Sequence, residues 1–120
     1  MTNKFRGELK VKLNKTDYNT RLTLDGIMRI EQSTSKPILQ CANDLMNSRL
    51  SMTDIVTIMT IAIRGWGNNM NQKQVGELLF ESGMIEGMKV CSEVLSNTIT
   101  GGQKEDDEEK KQEEVPNQTD

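Results

Sequence analysis

Histidine is absent from the 120 residues, which removes the commonest general base and the commonest metal ligand. Cysteine occurs only at Cys41 and Cys91, and neither has a second cysteine nearby, so no zinc spacing and no CxxC redox motif is present. Both fall on apolar helical faces, where buried thiols of a reducing compartment are expected. Aromatic residues make up 3% and all apolar residues 34%, so any core is modest. The most apolar stretch, residues 52–66, is too short and too interrupted by threonine to span a bilayer. The opening MTNKFRGELK has no apolar signal core, and the expectation is a protein made and kept in a cytoplasm. A P-loop, a dinucleotide fingerprint, a GxSxG elbow and a His-based triad are likewise missing. Glu77 and Glu81 stand one helical turn apart, with Glu86 beyond. Surface carboxylates on helices are ordinary, however, and no basic partner stands beside them. The expectation is a binding or assembly module, with no enzymatic activity, cofactor or metal.

What the chain does have is one strongly apolar helical stretch. Met52, Ile55, Val56, Met59, Ala62, Ile63 and Trp66 recur at steps of three and four, and Ile58 and Ile61 widen the stripe. Ser51, three residues before Asp54, is a start signal; Gly65 and Gly67 mark the stop. This helix is expected at the centre of the domain. Eight methionines supply much of the remaining apolar volume. Core filling is the default for them, and an adaptable partner-binding surface is the alternative.

On the N-terminal side the pattern is that of strands. Phe5, Leu9, Val11 and Leu13 alternate with Arg6, Glu8, Lys10 and Lys12; Gly7 falls on the apolar parity, at a bulge or a close backbone approach. A turn composition at residues 14–17 leads to a second alternation through Tyr18, Thr20, Leu22 and Leu24. Helical stripes follow: Leu24, Ile27, Met28 and Ile30, then Ile38, Leu39, Ala42, Leu45 and Met46 behind Pro37 in a first helical turn. Beyond the central helix, Asn71 and Gln74 read as a capping box, Val75, Leu78 and Leu79 as a short face, and Gly83 as its end. Met84, Met88, Cys91, Leu95 and Thr98 line a last helix that Gly101 and Gly102 close. The fold class is therefore α+β: an N-terminal antiparallel β-hairpin packed on a small bundle of four to five helices, in a single domain over residues 1–102.

Residues 103–120, QKEDDEEKKQEEVPNQTD, hold too little apolar surface to offset ordering and are expected to form a disordered acidic tail. Residues 1–102 carry 12 basic and 10 acidic residues, a net +2; the tail carries 3 and 8, a net −5. A near-neutral body with no basic recognition helix argues against nucleic acid as a partner.

The order of these features resembles a known family. Arg6-Gly7-Glu8 opens the first strand. The second strand runs into a helix through Leu22-Thr23-Leu24-Asp25-Gly26-Ile27-Met28-Arg29-Ile30-Glu31. Leu50-Ser51-Met52-Thr53-Asp54-Ile55-Val56 starts the apolar helix, which ends in Arg64-Gly65, and a turn centred on Gly83 precedes the last helix. Over about residues 5–99 this resembles the gene transfer agent and siphophage tail proteins described as tail assembly chaperones or tail-tube-associated proteins. The resemblance implies a non-enzymatic phage tail assembly chaperone of the host cytoplasm that binds the tape measure protein and assists tail tube assembly. Tape measure protein and tail tube protein would then be its partners, with a homo-oligomer also open. The alternative is a structural tube or connector subunit retained in the virion tail. The family supplies no catalytic residues. For partner contact the candidates are Trp66, Met84, Ile85 and Met88, each of which also fits a core position.

Overall fold

The computed structural model describes residue 3 and residues 6–102. The expected acidic tail over 103–120, and Phe5 of the first alternation, lie outside the described residues. Strand β1 (Glu8–Leu13) pairs antiparallel with β2 (Thr16–Arg21), and five helices follow: α1 (Leu24–Thr34), α2 (Ile38–Met46), α3 (Met52–Trp66), α4 (Gln72–Ser82) and α5 (Met84–Thr100). This is the α+β architecture that the periodicities predict.

The hairpin turn is two residues long. Asn14 and Lys15 take φ of 51° and 67°, and Leu13 stands opposite Thr16. Positive φ at both central positions matches the right-handed twist of the strands, and asparagine tolerates it well. Val11, Leu13 and Thr20 are buried on the inner face, with Leu9 and Tyr18 packed against them. The Thr20 hydroxyl donates to the Leu9 carbonyl at 2.9 Å, which satisfies the one hydroxyl buried on that face.

Helix α3 touches β2, α1, α4 and α5, and Ile55, Ile58, Met59, Ala62 and Ile63 are all buried. Two of its threonine hydroxyls are satisfied within the helix, one turn back: Thr60 donates to the Val56 carbonyl at 2.7 Å and Thr57 to that of Thr53 at 3.0 Å. The Ser51 hydroxyl accepts from the Asp54 amide at 3.1 Å. The Asp54 carboxylate lies 3.8 Å from Lys36 Nζ, which also donates to Asp44 at 3.1 Å. One cation thus ties the entry to α2 to the start of α3.

Two glycines hold the joint between β2 and α1. Gly65 lies inside α3, not beyond its end, and only Gly67 closes the helix. A Cβ at Gly65 would stand 2.0 Å from the Arg21 carbonyl oxygen. Gly7 has φ +75°, its carbonyl accepts from Leu22 N at 3.0 Å, and a Cβ there would meet the Leu22 carbonyl oxygen at 2.2 Å. The residue pair Arg21-Leu22 is therefore clasped between two backbones that only glycine allows so close.

Three other expectations need correction. The second alternation stops at Leu22: Thr23 caps α1 by accepting from Gly26 N at 3.1 Å, and Leu24 is 73% exposed. On α1 the buried positions are Gly26, Ile30 and Thr34, a stripe too poor in large side chains to register as apolar. Pro37 precedes α2 as its cap instead of standing in its first turn. The methionines divide between the two expected roles: Met59 is buried and Met52, Met70 and Met88 pack partly against the core, while Met28, Met46 and Met84 are exposed.

Candidate functional site

Helices α4 and α5 meet at a corner whose geometry is local. Asn71 caps α4 by a reciprocal pair: its side chain accepts from Gln74 N at 2.8 Å, and Gln74 Oε1 accepts from Asn71 N at 2.9 Å. Val75, Leu78 and Leu79 turn inward. Gly83, with φ +100° and ψ 139°, breaks the helix, and α5 begins at the next residue. Gly87 then lets α5 pack tightly on α4, since a Cβ there would lie 3.2 Å from Leu79 Cδ2.

This corner turns apolar side chains outward. Phe80 is 76% exposed, Met84 54% and Ile85 83%. Burial of such side chains is worth roughly 1.5–3 kcal/mol each, so their joint exposure on one corner is a stored capacity for contact. Glu77, Glu81 and Glu86 are exposed on the same two helices, whose basic residues are Lys73 and Lys89. Lys73, Gly76, Glu77, Phe80 and Glu81 line a shallow depression of about 390 Å³.

Of the four residues expected to make contact, the structure places Met84 and Ile85 in the open, while Met88 packs partly against the core. Trp66 is half-buried at the last residue of α3, beside the segment whose Asn68 side chain donates to the Asn19 carbonyl at 3.3 Å. Trp66 thus belongs to the α3–hairpin side, and the other three to α5. Phe80 was not among the four. Its signal was available: it follows Leu78 and Leu79 directly, so a helix that buries those two turns Phe80 toward the face of Gly76 and Glu77.

A second apolar surface lies at the far end of α5. Ala42, Leu45, Met46, Ser92, Leu95, Ser96 and Ile99 line a hollow of about 150 Å³ between α2 and α5, with Met46 and Ile99 exposed.

Elsewhere the titratable chemistry is structural. Cys41 and Cys91 are free and buried. Burial, with Cys41 nearby, pushes the Cys91 thiol up to about 12, so it carries no thiolate for nucleophilic work at neutral pH. Lys36 is raised above its ordinary value by its hydrogen bond to Asp44 and by the charges of Asp44 and Asp54. Among the described residues no group of three or more Cys, Asp or Glu side chains is arranged to hold a metal ion, and no helix is long and apolar enough to cross a membrane.

Comparison with known proteins returns one family model, described as phage tail tube protein, GTA-gp10, which matches residues 6–113. No curated protein and no solved structure matches the chain.

Proposed function

The chain belongs to the phage tail tube protein family, GTA-gp10, and from that premise we propose that it is a non-enzymatic structural subunit of a phage-type tail, retained in the virion. One observation carries the reading beyond family membership: the chain exposes two separate apolar surfaces at opposite ends of α5. Ile85 and Ile99 are 14 residues apart on that helix, about 21 Å at a rise of 1.5 Å per residue. A head-to-tail contact needs two different surfaces on each copy, and its repetition closes rings or builds a tube. The corner around Phe80, Met84 and Ile85 and the hollow beside Met46 and Ile99 supply such a pair. The partner is then a second copy of this chain or another tail tube protein.

A second reading is favoured by the kind of side chain exposed. Met28, Met46 and Met84 all stand on the surface, and methionine repacks readily against varied partners. That suits an assembly chaperone that holds the tape measure protein in the host cytoplasm and leaves before the particle is complete.

Quantitative mass spectrometry of purified particles separates the two. Many copies per particle support the structural subunit; absence from particles whose assembly fails without the gene supports the chaperone. Met84→Asp and Ile85→Asp test the contact surface in either case. Both side chains are exposed, so the domain should stay folded while association is lost; an unfolded variant would assign these residues to the core.

A further inference from the structure

A groove of about 440 Å³ opens between the base of the hairpin, the start of α1 and the end of α5; Arg6, Gly7, Arg21, Asn97 and Gly101 are among its lining residues. Its chemistry differs from that of the apolar corner. Asn97 is 6% exposed, and neither its amide nitrogen nor its amide oxygen has a hydrogen-bond partner. Buried amides are nearly always satisfied, so a group carrying both a donor and an acceptor points to something that binds there. Arg21 Nε is likewise buried without a partner: the nearest carboxylate oxygen, Glu8 Oε2, lies 3.8 Å away, while Glu8 Oε1 is taken by the Asn3 amide at 2.7 Å. Arg6 is exposed at the groove and has no carboxylate within ion-pair distance among the described residues. Two guanidiniums against one partly committed carboxylate leave the groove cationic.

The end of α5 lies at this groove. Gly101 and Gly102 have φ of +62° and +84°; Gly102 N donates to the Asn97 carbonyl at 3.0 Å and Gly101 N to that of Thr98 at 3.3 Å. This paired arrangement reverses the chain at the helix end, on the lip of the groove. The next charged stretch is Lys104 followed by Glu105-Asp106-Asp107-Glu108-Glu109. Those five acids stand four to eight residues past Gly101, a reach of at most about 14 to 28 Å when fully extended. The family match extends to residue 113 and so includes them.

We propose that this groove is a binding site for an acidic peptide, and that its occupant is the chain's own run Glu105–Glu109. Arg6 and Arg21 pair with its carboxylates, and seating the run opens the now enclosed Asn97 amide to a peptide group, which it takes through its donor and acceptor together. The tether raises the local concentration of the run and permits weak individual contacts.

The test compares the full chain with a full-length variant carrying Glu105→Gln, Asp106→Asn, Asp107→Asn, Glu108→Gln and Glu109→Gln, which leaves the described fold untouched. The readout is the NMR signal of the Asn97 side-chain amide and the Arg21 Nε–H. Expected is a difference between the two proteins at low salt that fades as salt rises and shortens the range of the charges. A synthetic peptide of residues 103–120 should bind the neutralised variant at least about tenfold more tightly than it binds the native chain, whose groove is occupied. Arg6→Gln in the native chain should shift the same signals toward those of the variant. Coincident spectra at every salt concentration, as when water alone satisfies Asn97, would overturn the proposal. So would groove signals that depend on protein concentration, which would mark a second copy as the occupant. Neither result bears on whether the chain is retained in particles.

Discussion

Helix α3 and the first turn of α5 both read as apolar helical residues in the sequence, yet they end in opposite environments. Ile58, Met59 and Ile63 are fully enclosed, whereas Met84 and Ile85 face solvent. The difference is in how many elements surround each. Helix α3 has the hairpin on one side and α1, α4 and α5 on others. The first turn of α5 stands at a corner, where α4 ends at Gly83 and no described residue covers Met84 and Ile85. A buried residue is thus one whose neighbours close over it, and an apolar side chain that stays uncovered marks where another molecule completes the packing.

That contrast is broken most directly by truncation at each site. Ile63→Ala should cost about 2–5 kcal/mol, from lost transfer energy plus a cavity, and Ile85→Ala less than about 0.5 kcal/mol. Urea denaturation of the monomer measures both, and equal losses would show that the corner is packed after all. Next in size is Gly65→Ala, expected to cost about 1–3 kcal/mol because the new methyl must displace the backbone of β2. Gly87→Ala should cost less, since its neighbour is the movable end of Leu79; the reverse order would undo the clasp assigned to Gly65. A smaller effect, about 1 kcal/mol, is expected of Asn71→Ala, which removes the cap of the helix that carries Phe80. The smallest is the Lys36 cluster. Its pKa is raised in the folded state, so its contribution is full below lysine's ordinary value and is lost as pH rises through the folded value. The melting temperatures of the native chain and Lys36→Met should therefore converge as pH rises past lysine's ordinary value and through the raised one. A gap that widens with pH would mean that the pairing to Asp44 and Asp54 is not what Lys36 contributes.

Much of the fold was legible because it is written in local signals. Alternation found the strands, the Asn71–Gln74 pair found the start of α4, and glycine found the ends of α4 and α5. The misses are long-range. Gly65 looked like a stop, but its role is set by Arg21, 44 residues earlier in the chain. Leu24 continued the strand parity in sequence, but Thr23 had already started a helix. Two of the three exposed side chains of the corner were legible: Met84 and Ile85 were named, while Phe80 was passed over beside two core leucines. No one-dimensional pattern pointed to the unpartnered amide of Asn97, which looks like one more polar residue on a mixed helix.

By itself, then, the sequence determined the order and kind of the elements, the central place of α3, and the absence of histidine. Those follow from backbone propensity, periodicity and composition, which act over a few residues. Only the tertiary structure decided which apolar residues are enclosed, which glycines admit a neighbouring backbone, and where Arg6, Arg21 and Asn97 converge. Burial and convergence depend on what arrives from distant parts of the chain, and no local pattern carries that information.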